Sequence, residues 1–144
     1  MKIRFSIAVV LLCLLGVGCA KPTQLVPMPD QSVRVEDPEK ARIYVIRPSN
    51  FGGAISMEVR DNDRTIGFTG PSSYLSWERE PGDVQVIGIA EDTSVQRISA
   101  VKGMVYFVLQ RLQMGVIKAR NELELIGEDE ARQYLEKCNP AKVK

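Results

Sequence analysis

The sequence predicts a mainly β domain, a sandwich of about seven or eight short strands followed by one C-terminal amphipathic α-helix. Three observations support this prediction. From Arg42 onward the apolar residues recur with period two, as the alternating faces of a strand require. Turn-forming residues separate these segments at intervals of about 8–12 residues, as in all-β domains. Only after residue 127 does the apolar spacing become that of a helix.

The composition excludes several classes of function. The 144 residues fit one domain, and none of them is histidine. Without histidine there is no Ser-His-Asp or Cys-His catalytic unit. The net charge of +1 does not indicate a nucleic-acid partner. Three cysteines are too few for a disulfide-rich scaffold or a four-thiolate zinc site, and we predict no metal site.

Residues 1–18 have the features of a secretory signal peptide. Lys2 and Arg4 precede an apolar run that reaches Val17. This run is shorter than the ~20 residues that a membrane-spanning helix needs, and it has no polar face. Removal of the signal lowers the basic count from 19 to 17, against 18 acidic residues, so the mature chain has a formal charge of −1.

The end of this segment, Leu14-Leu15-Gly16-Val17-Gly18-Cys19-Ala20, resembles the lipobox of bacterial lipoproteins. Gly16 stands where that motif usually has leucine. The resemblance implies cleavage between Gly18 and Cys19 and a covalent lipid on Cys19, with no other cofactor. Ala20 then implies sorting to the outer membrane, with the domain facing the periplasm. The alternative is an ordinary secreted protein in which Cys19 is a signal-region or disulfide cysteine.

Residues 19–38 are predicted to be a lipidated cysteine and a tether. Four of the eight prolines lie in this region, namely Pro22, Pro27, Pro29 and Pro38. Proline has no backbone N–H donor and favours extended backbone conformations in its neighbours. The segment is therefore predicted to be a linker, which reaches ~65 Å when extended. A short strand over residues 32–36, docked on the domain, is the alternative.

The strands follow one another along residues 39–138, the predicted domain. The segment Ile43–Ile46 is apolar on both faces, which predicts a central strand covered on each side. Turn residues occur at Asp61-Asn62-Asp63, Pro81-Gly82 and Gly103. The remaining strands are predicted at 55–60, 65–68, 75–78, 84–90, 95–101, 104–112 and 122–125.

A C-terminal helix is predicted from Glu128 to Cys138, and residues 139–144 are predicted to be a tail. Acidic residues at 128–130 favour the positive end of the helix dipole. One helix face carries the apolar residues Ala131, Tyr134, Leu135 and Cys138. We therefore expect Cys138 to be a packed thiol. A Cys19–Cys138 disulfide is the alternative if Cys19 carries no lipid.

The stretch Ala41-Arg42-Ile43-Tyr44-Val45-Ile46-Arg47-Pro48-Ser49-Asn50 resembles the opening of the bacterial domain of unknown function 2846. Further matches are Pro81-Gly82, the segment Gly103–Val108, Met114-Gly115 and the acidic helix with Ala131. Together they cover about residues 39–138. Many family members look like lipoproteins, so the resemblance implies a fold and a location but no activity. A wider likeness to prealbumin-like sandwiches concerns the fold alone.

Carboxylate pairs are the remaining candidates for acid–base chemistry. Glu78 and Glu80 project from one face of a strand with Cβ atoms roughly 7 Å apart, as a hydrolase pair would. The sequence indicates no apolar pocket that would raise the pKa of one of them, so we assign no catalytic residue. Asp61-Asn62-Asp63 resembles half an EF-hand loop. Ile66 and Ser72 stand where that loop needs glycine and glutamate, so a hairpin turn is predicted.

Two aromatic residues are candidate partner-binding residues. The loop Ser49-Asn50-Phe51-Gly52-Gly53 lacks the Gly-Lys-Ser/Thr of a P-loop. Its glycines give conformational freedom, so that Phe51 is either exposed at the loop tip, in contact with a partner or lipid, or folded back onto the domain. Trp77 is the second candidate, as part of a platform for a sugar ring. The other members of that platform would be Tyr44, Tyr74, Tyr106 and Phe107. Trp77 shares its strand face with Leu75, however, which is typical of a core residue.

The sequence therefore predicts a non-enzymatic bacterial envelope lipoprotein that interacts or gives structural support. Its partners would be the membrane, through the lipid on Cys19, and an envelope protein. A periplasmic glycan- or peptidoglycan-binding module and a hydrolase that uses Glu78 and Glu80 are the alternatives.

Overall fold

The computed structural model of the chain describes residues 34–53, 55–114, 119–141 and 143. The predicted signal peptide, Cys19 and most of the tether lie outside these residues. Within them no helix is both long and apolar enough to span a membrane. The described elements are β1 (Ala41–Arg47), β2 (Met57–Asp61), β3 (Arg64–Thr69), β4 (Ser73–Arg79), β5 (Gly82–Ile89), β6 (Thr93–Ala100), β7 (Val105–Met114), β8 (Ala119–Ile126), α1 (Glu128–Leu135) and β9 (Asn139–Pro140).

The strands form two sheets, one with the order β8-β7-β1-β4-β9 and one with the order β3-β2-β5-β6. Alternate side chains of both sheets meet in a shared core that includes Ile43, Val59 and Val86. Side chains also join the sheets along one edge. The backbone N–H of Asn121 in β8 donates to Asp92 Oδ1 at 2.7 Å. The predicted mainly β sandwich with one C-terminal helix is confirmed.

Strand β1 is the centre of the five-stranded sheet, as its apolar sequence predicts. It pairs antiparallel with β4 and parallel with β7, and all seven of its residues are buried. Ile43 faces the four-stranded sheet. Tyr44 and Ile46 face the other way, into a second core against α1. Both faces of β1 are therefore covered.

The helix is shorter than predicted, because it ends at Leu135. Two single turns follow, and they keep Cys138 buried against the sheet. The next two residues form β9, where the backbone N–H of Asn139 donates to Ser72 O at 2.8 Å. Val143 bridges Gly67 in the other sheet. The described residues of the predicted tail therefore pair with the sheets. The physical reason is the burial of Cys138, which places the next residues beside β4.

The last residues of the predicted tether dock on the domain. The backbone N–H groups of Glu36 and Asp37 donate to the carboxylate of Glu78 in β4. Residues 34–36 form no strand, so the contact is made through a side chain and not through strand pairing. The N-terminal segment thus joins the domain at the end where β1 begins and β4 ends.

Candidate functional site

The loop after β1 is held in place by the last residue of that strand, Arg47. We call the described residues of this loop, 48–53, 55 and 56, the Phe51 loop. The Arg47 side chain is fully buried. Its Nη1 donates to the carbonyl oxygens of Ile55 at 2.7 Å and Thr69 at 3.2 Å. Its Nη2 donates to those of Phe51 at 3.1 Å and Gly52 at 3.0 Å. One guanidinium therefore holds the middle of the loop and its C-terminal part, and it joins them to β3.

Backbone carbonyl dipoles supply the negative ends that face the Arg47 charge. Burial lowers the pKa of the Arg47 guanidinium, because removal from water disfavours the charged form. An arginine nevertheless stays protonated in proteins, so the four hydrogen bonds are charge-assisted. The carbonyl oxygens can therefore stabilise the Arg47 charge without a carboxylate partner, and the same hydrogen bonds fix the backbone of the loop.

Phe51 is exposed on this fixed backbone. Its side chain is 47% exposed, and its backbone N–H donates to Ser49 Oγ at 3.0 Å. The neighbouring Gly52 has a φ of +69°, and a Cβ there would overlap the Cδ2 atom of Leu112 in β7. Glycine is therefore required where the loop turns back onto the sheet. Of the two placements that the sequence left open for Phe51, the structure shows the exposed one.

Cys138 packs beneath the same end of β1. It is 4% exposed, and its thiol donates to the carbonyl oxygen of Arg47 at 3.8 Å. Burial raises the pKa of the Cys138 thiol to about 11, which keeps it in the unreactive protonated form. The prediction of a packed thiol is confirmed. Cys19, its alternative disulfide partner, lies outside the described residues.

Trp77 is not available as a surface for a partner, contrary to its place among the candidate binding residues. It is only 7% exposed and belongs to the core between the sheets. Its indole Nε1 donates to Asp61 Oδ2 at 2.9 Å. The physical reason is the strand period, which places Trp77 on the inward face together with Leu75.

The other aromatic residues do not form an exposed platform. The ring centroid of Tyr44 lies 6.1 Å from that of Tyr74 and 5.3 Å from that of Phe107. All three rings are buried in the core against α1. Tyr106 is half-buried, and its hydroxyl donates to Ser99 O at 3.1 Å. These rings stabilise the domain and leave Phe51 as the exposed aromatic of the predicted set.

The two candidate carboxylates have separate surroundings. Glu78 is largely buried and accepts a hydrogen bond from Arg42 Nη2 at 3.1 Å, besides those from the tether. Glu80 has a side chain that is 76% exposed, with Oε1 3.9 Å from Lys40 Nζ. Glu78 thus holds the tether to the sheet. Neither carboxylate lies in an apolar pocket of the kind that a general acid needs.

The acidic turn after β2 is a hairpin, as predicted. Asn62 has a φ of +51°, a conformation that asparagine tolerates better than most residues. Asp61 points into the core toward Trp77. Across the described residues no three His, Cys, Asp or Glu side chains are grouped so that they could hold a metal ion.

Sequence reasoning missed a polar chain between the sheets. Thr69 Oγ1 donates to Gln110 Oε1 at 2.5 Å, and Gln110 Nε2 donates to Asn121 Oδ1 at 3.3 Å. Gly88 leaves room for this chain, because a Cβ there would lie 2.5 Å from Asn121 Nδ2. An isolated glycine inside a strand is the signal that could have revealed this close approach.

Comparison with known proteins finds similar proteins whose names state no activity. No protein-family model matches the chain. An uncharacterized protein from Haemophilus influenzae is 25% identical over 131 residues, which span 89% of this chain and 78% of that protein. The NMR structure of a protein from Eubacterium rectale is similar with a TM-score of 0.43 and 18% identity, over 65% of this chain and 96% of that one. The resemblance to the domain of unknown function 2846 stays a prediction.

Proposed function

We propose that this protein is a bacterial envelope lipoprotein without enzymatic activity, held to the membrane by a lipid on Cys19, whose domain binds a protein partner through the Phe51 loop. The observation that carries the proposal is the 47% exposure of Phe51 on a backbone fixed by the buried Arg47. A loop that is already ordered loses little conformational entropy on binding, and a rigid aromatic ring is a common anchor of interfaces.

The position of the loop favours a protein over the anchoring membrane as its partner. Residues 36 and 37 dock at the beginning of β1, and the Phe51 loop follows its end. These two ends are separated by the length of a seven-residue strand, about 20 Å. A tether of residues 19–33 adds a reach of up to ~50 Å. Phe51 therefore lies on the side of the domain away from the point of attachment.

The N-terminal sequence supports the proposed location. Lys2 and Arg4 precede an apolar run that ends in the lipobox-like residues before Cys19. A single acyl chain binds a membrane only marginally, and two or three chains give a durable anchor. With Ala20 after the cysteine, we propose the outer membrane with the domain in the periplasm.

A Cys19→Ser variant tests the anchor. We expect it to accumulate as an uncleaved precursor, because the lipid-dependent signal peptidase acts only after the thiol has been modified. Mass spectrometry of the N-terminal peptide of the wild-type protein should show the added acyl mass. Normal cleavage of the variant, together with an unmodified wild-type N-terminus, would contradict the anchor.

Photo-crosslinking in whole cells tests the partner. A photoreactive amino acid at position 51 should capture a single envelope protein. The matched control is position 68, because Phe68 is also a phenylalanine with 46% exposure, on the four-stranded sheet. Equal products at the two positions, no protein product at 51, or products with phospholipid alone would each overturn the proposed use of the loop.

A further inference from the structure

A cleft lies at the opposite end of the sandwich from the Phe51 loop. Its volume is about 410 Å³, and its walls are formed by Lys40, Asp61, Arg64, Glu78, Arg79 and Glu80. We call it the Arg79 cleft. Strand β4 ends at Arg79, and the hairpin between β2 and β3 contributes Asp61 and Arg64. Three cations and three carboxylates therefore surround one opening.

Arg79 is the unusual residue of this cleft. Its side chain is only 15% exposed, and its Nε lies 3.7 Å from Asp61 Oδ2, which is too long for a hydrogen bond. The buried atoms Nε and Nη1 have no hydrogen-bond partner among the described residues. Donors of a buried charged group are nearly always paired, since an unpaired one has lost its hydration without compensation. An unpartnered Nε is also found at Arg42 and Arg47, so the unpartnered Nη1 is what distinguishes Arg79 among the described residues. Nε and Nη1 are shielded from solvent, and Nη2 is therefore the donor that a ligand in the cleft can reach.

The carboxylates nearest to Arg79 are already engaged by other donors. Asp61 accepts from Trp77 Nε1 at 2.9 Å and from the side-chain amide of Asn62 at 3.3 Å. Glu78 accepts from Arg42 and from two backbone N–H groups of the tether. Asp61 thus keeps the Arg79 side chain in place by charge, without forming a hydrogen bond with it.

The other two cations of the cleft are accessible. Arg64 is exposed on β3. The Lys40 side chain is 37% exposed, with Nζ 3.6 Å from Asp37 and 3.9 Å from Glu80, both distances typical of loose surface pairs. A ligand oxygen that reached Arg79 would therefore meet these two cations together with the three carboxylates, and it would compete with Glu80 for Lys40.

We propose that the Arg79 cleft binds the oxyanion of a ligand, a phosphate or a carboxylate group, with Arg79 as the principal donor and Arg64 and Lys40 at the rim. The Nη2 group carries two N–H donors, and hydrogen bonds from a charged donor to an oxyanion are among the stronger ones. The site is independent of the lipid on Cys19 and of the partner of the Phe51 loop, because it uses none of their residues.

Calorimetric titration of the full chain in a nonionic detergent tests this site. The probes are inorganic phosphate, acetate and dimethyl phosphate, the last being a diester like that of a lipid headgroup. At least one probe should bind saturably, and Arg79→Met should weaken it about ten- to a hundredfold, since hydrogen bonds to a charged donor are lost. The control is Arg132→Met, which removes an exposed charge on α1 and should leave the affinity unchanged.

Arg64→Met is the second variant, because this exposed side chain can be removed without disturbing the core. We expect a severalfold loss of affinity for the same probe. The preferred probe then identifies the source of the oxyanion: the diester indicates a lipid headgroup, inorganic phosphate a free phosphate, and acetate a carboxylate. The proposal is overturned if no probe binds saturably, or if Arg79→Met weakens the affinity no more than Arg64→Met does.

Discussion

Arg47, which is fully buried, and Arg79, whose side chain is 15% exposed, lie at opposite ends of the sandwich, and their surroundings differ. Arg47 ends β1 and donates to four backbone carbonyl oxygens of the Phe51 loop and β3. Arg79 ends the antiparallel β4 and has a charged neighbour, Asp61, but no hydrogen bond from its guanidinium to a described residue. Both terminal nitrogens of Arg47 are engaged within the fold, and only its Nε has no partner among the described residues. No nitrogen of the Arg79 guanidinium is engaged in this way with a described residue.

The difference follows from what each end of the sandwich contains. At the Arg47 end a loop of nine residues turns back over the sheet, so its carbonyl oxygens converge on the strand end. At the Arg79 end the short hairpin of β2 and β3 has its backbone paired already, and only side chains are available. A buried cation is stabilised by converging dipoles in the first case and by a single carboxylate in the second.

Arg47→Met should have the largest effect on stability. It leaves four loop and strand carbonyls without their donor, and we expect the free energy of unfolding to fall by about 3–5 kcal/mol. Urea unfolding followed by the fluorescence of the single, buried Trp77 measures it. Arg111→Met is the control, because it removes only an exposed pair with Glu124. A loss no greater than that of the control would show that the Arg47 hydrogen bonds do not hold the loop.

Gly52→Ala should be next, because it disturbs the same loop from its backbone. The φ of +69° is strained for alanine, and its Cβ would overlap Leu112. We expect a loss of about 2–4 kcal/mol, the sum of a left-handed conformation and overpacking. Gly53→Ala is the matched control, since the nearest atom to a Cβ there lies at 3.8 Å. Equal unfolding midpoints for the two variants would contradict a tightly seated loop.

The sequence predicted the elements of both ends better than their contacts. The apolar run Ile43–Ile46 was sufficient for a central strand, and the period of two assigned Trp77 and Leu75 to one inward face. That period says which residues share a face, but not which face is covered. For this reason the sequence allowed two interpretations of Trp77, as part of an exposed platform for a sugar ring or as a core residue.

The roles of the two arginines could not be predicted, because each also contacts a residue of the other sheet that is distant in the sequence. Thr69 lies 22 residues after Arg47, and Asp61 lies on another sheet from Arg79. Such contacts depend on how the two sheets face each other, which no local pattern encodes. The end of α1 was misjudged for a similar reason, since its last residues follow the path to β9.

Cys138 provides a pH-dependent measure of packing at the Arg47 end. Burial raises the pKa of its thiol from 9.0 to about 11. The thiol therefore loses its proton at lower pH in the unfolded state than in the folded state. The contribution of the buried thiol to stability is fully present below pH 9 and is lost as pH rises toward 11. We expect this contribution to reach about 2 kcal/mol. The advantage of the wild type over Cys138→Ala in urea unfolding should therefore shrink between these pH values. A constant difference would mean that the thiol is accessible to water.

Arg79→Met should have the smallest effect, and it separates the two ends most clearly. Its guanidinium has no hydrogen bond to lose, methionine fills a similar volume, and Asp61 keeps its donors from Trp77 and Asn62. We therefore expect a loss of about 1 kcal/mol or less in anion-free buffer, most of it the charge attraction to Asp61.

The unfolding measurements are then repeated with the oxyanion that binds best in calorimetry. A ligand that binds only the folded state stabilises it by mass action, so the ligand should affect Arg47→Met and Arg79→Met differently. At a hundred times its dissociation constant it should add about 2.7 kcal/mol to the wild type and to Arg47→Met. It should add much less to Arg79→Met. The deficit of Arg47→Met relative to the wild type would then stay constant, while that of Arg79→Met would grow with ligand concentration. In anion-free buffer, Arg79→Met could lose as much free energy of unfolding as Arg47→Met, and the ligand could leave that loss unchanged. This result would show that both arginines have structural roles and would remove the distinction between the two ends.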